Sequence, residues 1–160
     1  TGLPNRLAFE DRLREEQARF HRYRRSLALM VIDVDHFKQV NDRHGHAAGD
    51  AVLRELAERV NGAVRDVDIA ARYGGEELVV LMPETMLRAA SDAAERVRAA
   101  VEDAAFQLED GDVHVTVSIG VSACPERVDD PVGLFHSADQ ALYAAKEAGR
   151  NRVVVAERRA

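Results

Sequence analysis

Apolar and polar positions alternate along this chain with two different periods. Between Asn5 and about Arg25, Leu7, Phe9, Leu13, Phe20 and Tyr23 recur near helical spacing among charges, predicting an amphipathic helix opened by Pro4 and Asn5. LALMVID, Leu27 to Asp33, is a continuous apolar run ended by acid, as expected of a strand covered on both faces. KQVNDRHGHAAGD reads as a polar connection. A second helix is expected from about Ala47 to Val64, its buried stripe formed by Val52, Leu56, Val60 and Val64.

Two strands, about Asp68 to Tyr73 and Glu77 to Met82, flank Gly74-Gly75, which predicts a tight hairpin turn with positive φ. Ala90, Ala93, Val97, Ala100, Val101 and Ala104 mark a third helix. HVTVSIGVS alternates strictly, predicting a strand with one buried face. Asp130 and Pro131 resemble the N-cap and first-turn proline of a fourth helix, with the stripe Leu134, Phe135, Ala138, Leu142 and Ala145, and Gly149 suits its C′ position. RVVVA makes a last strand, and Glu157 to Ala160 read as a solvated end. Five strands with an internal hairpin and four longer helices predict an α+β (mixed α/β) domain with a mixed sheet.

Composition narrows the function classes. With 160 residues, 46% hydrophobic and 31% charged, the chain is expected to form a single domain, residues 1–160. No apolar run approaches the roughly 18 to 20 residues of a membrane span, so no membrane contact is expected of the domain. The formal charge of −6 argues against a nucleic-acid partner, because backbone binding needs a basic face. A single cysteine, Cys124, is compatible with a reducing cytosol and reads as an apolar filler.

Two acidic clusters stand where strands end or begin: Asp33 and Asp35 in IDVDHFK, and Glu76 and Glu77 in GGEEL. If the Leu27 strand lies beside the hairpin, their carboxylates converge at one edge. Hard oxygens so gathered suit Mg²⁺, and two such ions can clamp the attacking and leaving oxygens of a phosphoryl transfer. The alternatives stay open at this level, since acids at strand ends are commonly solvated caps. His44 and His46 form an HxH pair, but no third soft ligand stands nearby in the sequence and a loop reading suffices.

The stretches TGLPNR, IDVDHFKQVNDRHGHAAGDAVL, RDVDIAARYGGEEL, VTVSIGVSA and ADQALYAAKEAGRNRV together resemble the GGDEF domain, the diguanylate cyclase family, over nearly the whole chain. The resemblance implies a central, largely antiparallel five-stranded sheet flanked by helices, related to the palm of polymerases and nucleotidyl cyclases. It also implies condensation of two GTP into cyclic di-GMP with release of pyrophosphate, on Mg²⁺ or Mn²⁺, across a homodimer. Asp33, the carbonyl of Val34, Glu76 and Glu77 match metal-holding positions; Glu77, Glu76 and Lys38 match catalytic ones. Asn41 and Asp50 match guanine-reading positions. Gly74 and Gly75 let the backbone pass the triphosphate, and Lys146 and Arg150, like Lys38, match phosphate contacts. Arg65 and Asp68 match an RxxD site where the product binds and inhibits; Arg96 or Arg98 would assist there.

Without the family, Asn41 reads as a turn residue, Asp50 as a helix cap, and Lys146 with Arg150 as a positive helix end. The family usually has Phe where this chain has Leu78, which leaves room for a catalytically weak or silent module that binds GTP or cyclic di-GMP as a sensor. A metal-dependent phosphohydrolase would use similar carboxylates without guanine-reading residues. The family's acidic residue and leucine ahead of TGLPNR are missing, so a fragment of a longer, cytoplasmic chain with an N-terminal regulatory module is expected, membrane anchoring of that longer chain being left open.

Overall fold

The computed structural model describes residues 1–158. Helix α1 spans Arg6–Tyr23, capped by the Asn5 side chain accepting from the Ala8 amide. Strand β1 (Leu27–Val34) follows, then α2 (Phe37–His44), α3 (His46–Ala63), β2 (Ile69–Arg72), β3 (Glu77–Pro83) and α4 (Leu87–Glu102). A small hairpin, β4 (Phe106–Leu108) and β5 (Gly111–Val113), precedes β6 (Val117–Cys124), a 3-10 turn at Pro131–Gly133, α5 (Leu134–Glu147) and β7 (Val153–Val155). The main sheet has the order β2-β3-β1-β6-β7; all its pairs are antiparallel except β6 with β7.

The continuous apolar run of β1 is explained by its position, central and buried at every residue. One face of the sheet packs on α3 and α4 through Met30, Ile32, Leu78, Val80, Leu56 and Val97. The other face packs on α1 and α5 through Leu29, Val31, Val79, Leu81, Phe20 and Leu142. Leu78 is fully buried opposite Ile32. No helix among the described residues is long and apolar enough to cross a membrane.

Four expectations are corrected. The polar connection after β1 contains α2, an eight-residue helix whose one buried side chain is Val40. Strand β6 is buried on both faces, because its small and polar positions have partners inside: Ser118 donates to Asp35, Ser122 pairs with Ser137, and Gly120 lies under α5. A Cβ at Gly120 would stand 2.1 Å from the Ala138 carbonyl oxygen. The turn after β2 is not a primed two-residue turn. Positive φ among glycines is confined to Gly2, Gly45, Gly111 and Gly149, so neither Gly74 nor Gly75 needs it. The bend is spread over residues 73–76, closed by the Tyr73 and Gly74 amides donating to the Glu77 carbonyl at 2.8 and 3.3 Å. Lastly, Asn41 lies within α2 and Asp50 within α3, where Gly45 is the N-cap, so neither is the turn residue or helix cap read from composition.

Candidate active site

Antiparallel register sets Asp33 of β1 directly opposite Glu77 of β3. Two like charges on facing residues repel, and here both are partly withdrawn from water. Burial, and then the neighbouring acids Asp139 and Asp33, push the Glu77 carboxyl up to about 7. Burial and Asp33 likewise raise Glu76. Asp33 is raised by burial despite the hydrogen bond from Lys146, whose ammonium reaches Asp33 Oδ2 from α5. The ammonium itself is raised, the carboxylates outweighing its burial. The other oxygen, Asp33 Oδ1, is buried and has no hydrogen-bond partner among the described residues. Among the described residues no three acids close into a ready metal cage, yet the orphaned Asp33 oxygen and the raised Glu76 and Glu77 leave this corner short of positive charge, which a hard divalent cation would supply.

Beside these acids opens a cleft of about 470 Å³ lined by Phe37, Lys38, Asn41, Asp50, Gly75 and Glu76, among others. The structure thus gathers Lys38, Asn41, Asp50, Gly75 and Glu76 around one hollow. Asn41 Oδ1 is the second buried polar atom without a partner. It lies where a Cβ on Gly49 would be, 1.9 Å from that position, so glycine is what admits the Asn41 side chain. Val34 adjoins the same corner, its amide donating to the Glu76 carbonyl at 3.5 Å.

Asp35 does not join the acid cluster. It lies beyond the end of β1 and turns to β6, its carboxylate accepting from the Thr116 and Ser118 hydroxyls at 2.6 Å each. Arg150 follows α5, exposed and in left-handed backbone at φ 66°. Two contributors went unread in the sequence. Arg72 lines the cleft and donates to the carbonyls of Gly74 and Gly75 at 3.1 and 2.7 Å, fixing the loop. Asp139 acts on Glu77 from α5. Arg72 stands two residues before the glycine pair, a local signal that was there to be used; Asp139 has none, being brought near only by helix packing.

At the far end of the β2–β3 pair, Arg65 and Asp68 bind each other. The Arg65 amide and guanidinium donate to Asp68 at 2.9 Å, and the same guanidinium reaches the Pro83 carbonyl at 2.9 Å and the Thr85 hydroxyl at 2.6 Å. Arg98 of α4 is turned instead to Glu95 and Asn151.

The family profile described as "Diguanylate cyclase, GGDEF domain" matches residues 1–152. The chain belongs to the GGDEF family. Among curated relatives, diguanylate cyclase DgcP of Pseudomonas aeruginosa is 47% identical over 98% of this chain and 23% of its own length. Response regulator PleD of Caulobacter vibrioides is 44% identical over 96% of the chain and 34% of its own. The chain therefore spans well under half of either relative. The solved GGDEF domain of TpbB from Pseudomonas aeruginosa superposes with a TM-score of 0.92 at 41% identity, covering 98% of both chains. That of DgcB from Caulobacter crescentus, in complex with c-di-GMP, gives 0.92 at 35% identity, covering 98% of this chain and 90% of that one. The mixed, mostly antiparallel five-stranded sheet expected from the sequence is that of the family.

Proposed function

We propose that this GGDEF domain is the catalytic part of a diguanylate cyclase, joining two GTP into cyclic di-GMP with release of two pyrophosphates. The observation that carries the proposal is the facing pair Asp33 and Glu77, next to Glu76, which lines the cleft that holds Asn41 and Asp50. Asp33, Glu76, Glu77 and the Val34 carbonyl would hold Mg²⁺ or Mn²⁺, which when bound supplies positive charge to the triphosphate and acidifies the attacking hydroxyl.

The remaining roles belong to the chain. Asp50 accepts from the N1–H and exocyclic amine of guanine, and Asn41 completes the edge; a site built on such bonds rejects an analogue lacking them by on the order of 10⁴-fold. Neither turn geometry nor packing requires glycine at 74 or 75, since a Cβ on Gly75 would meet nothing and one on Gly74 only Glu77 at 3.8 Å. Their bareness keeps the approach open to phosphate oxygens. Lys38, Lys146 and Arg150 stabilise charge growing on the pyrophosphate. Glu77, facing Asp33 across the strand pair, is placed to take the 3′-hydroxyl proton. Each chain holds one GTP, so two chains must face each other for either hydroxyl to reach the other α-phosphate, and a tethered pair gains effective concentration. Arg65 and Asp68 form the product-binding site, where the ligand competes for hydrogen bonds that the pair now makes with itself.

The test is one incubation of the domain, fused to a dimeric coiled coil, with GTP and Mg²⁺. Cyclic di-GMP is the expected product. Retained GTP binding without conversion would make it a sensor, and GDP or GMP would make it a hydrolase; either overturns the proposal.

A further inference from the structure

The backbone just past α5 is held in an uncommon shape. Gly149, Arg150 and Asn151 have φ of 120°, 66° and 47° in succession. Consecutive non-glycine residues in the left-handed region persist only where surrounding contacts over-determine them. Here those contacts come from three directions. The Arg150 amide donates to the Ala145 carbonyl at 3.0 Å, continuing from α5. The Asn151 amide donates to Asp35 Oδ2 at 3.0 Å. The Asn151 side chain accepts from Arg98 at 2.9 Å and donates to Glu102, both on α4.

Asp35 is the centre of this arrangement. It is only 6% exposed, and each of its oxygens is engaged: one by Ser118, the other by Thr116 and by Asn151. The two hydroxyls already fix the carboxylate to its neighbouring strand. The third bond reaches instead to the strained segment that carries Arg150, four residues beyond Lys146. Asp35 also follows Asp33 by two residues, so movement of one is felt by the other.

We propose that Asp35 and Asn151 are positioning residues that fasten the Lys146–Arg150 end of α5 to the strand bearing Asp33. They hold the phosphate-gripping cations at a fixed spacing from the metal-holding carboxylate without touching nucleotide themselves. The inference rests on the reading of Lys146 and Arg150 as phosphate contacts.

The experiment compares affinity for a non-hydrolysable GTP analogue with affinity for guanosine, which tests the base pocket alone, alongside the melting temperature. Asp35→Ala is expected to weaken the analogue by on the order of tenfold or more and leave guanosine binding unchanged. Asp35→Asn, which keeps a carbonyl acceptor toward Asn151, should recover most of the loss. Asn151→Gly tolerates the left-handed backbone but drops the contacts to Arg98 and Glu102, and should show a smaller loss with the same selectivity. A lower melting temperature with unchanged analogue affinity, or equal loss for both ligands, would reduce Asp35 to a structural plug and overturn the proposal. If Asp35→Ala does not fold, Asp35→Ser, whose hydroxyl can still meet Ser118 but is too short to reach the Asn151 amide, gives the same comparison. A failure of the underlying reading looks different: Lys146→Ala and Arg150→Ala would then leave analogue affinity as it is in the parent chain.

Discussion

The two ends of the β2–β3 pair differ in how fully their polar groups are satisfied. At the Arg65 end, the Asp68 side chain is 3% exposed and accepts from Arg65, which itself reaches Pro83 and Thr85. At the Glu77 end, three carboxyls are raised by burial and by neighbouring acids, and Asp33 Oδ1 has no partner among the described residues. The same ladder of strands thus carries one electrostatically closed site and one left wanting charge. A closed site stabilises the fold and yields to a ligand only by exchange of bonds. An open one costs stability for as long as its charge goes unanswered, the condition expected of a site built to take a ligand.

The contrast can be broken most severely at the open end. Glu77→Gln should lower synthesis of cyclic di-GMP by at least about 10³-fold while raising or sparing the melting temperature, because a neutral amide relieves the repulsion with Asp33 and Asp139. Product assay and thermal melt on one sample check both halves; retained synthesis would remove Glu77 from the mechanism.

Gly49→Ala comes next. Alanine usually stabilises a helix relative to glycine by roughly 1 kcal/mol. At this position the added methyl would fall on Asn41 and within 3.0 Å of the Phe37 ring, so the expected outcome is displacement of Asn41 and a loss of preference for GTP over ATP. Competition binding of the two nucleotides measures it.

The pH dependence sharpens the same difference. Glu77 is raised on folding, from 4.5 to about 7, so the folded chain holds the extra proton. Its favourable contribution is complete below about pH 4.5 and is lost as pH rises through about 7. Without divalent cation the melting temperature should decline across that window, and saturating Mg²⁺ should flatten the decline. A flat profile in EDTA would show that burial and the neighbouring acids do not raise Glu77 as described.

The smallest effect belongs to the closed end. Arg65→Ala strands the Asp68 carboxylate and should cost about 1–3 kcal/mol of stability. Initial synthesis rates should be unchanged, and inhibition by added cyclic di-GMP should disappear. Persisting inhibition would empty the proposed second site.

Much of this arrangement was legible in the residues themselves. The run of β1 named a central strand because nothing polar interrupts it, and the acids at its end marked the corner where Asp33 faces Glu77. The segment after it was obscure because α2 buries one side chain, Val40, too little to impose a helical period. The alternation in β6 misled for a definite reason: Ser118 and Ser122 look solvent-facing until their partners Asp35 and Ser137, distant in sequence, are brought to them. The glycine pair announced a bend but not its form, since Gly-Gly permits positive φ without demanding it. The Lys146–Asp33 contact went unread, because local spacing says nothing of which helix crosses which strand end.

Gly120 sets how far apart those two residues can be. With no side chain between them, the main chain of β6 rests against that of α5, a Cβ there falling 2.1 Å from the Ala138 carbonyl oxygen and 2.3 Å from the Leu142 amide nitrogen. The helix behaves as a beam bolted directly to the floor, with Lys146 near the end that is also moored to Asp33. A shim as thin as one methyl at 120 would tilt the beam and strain that mooring.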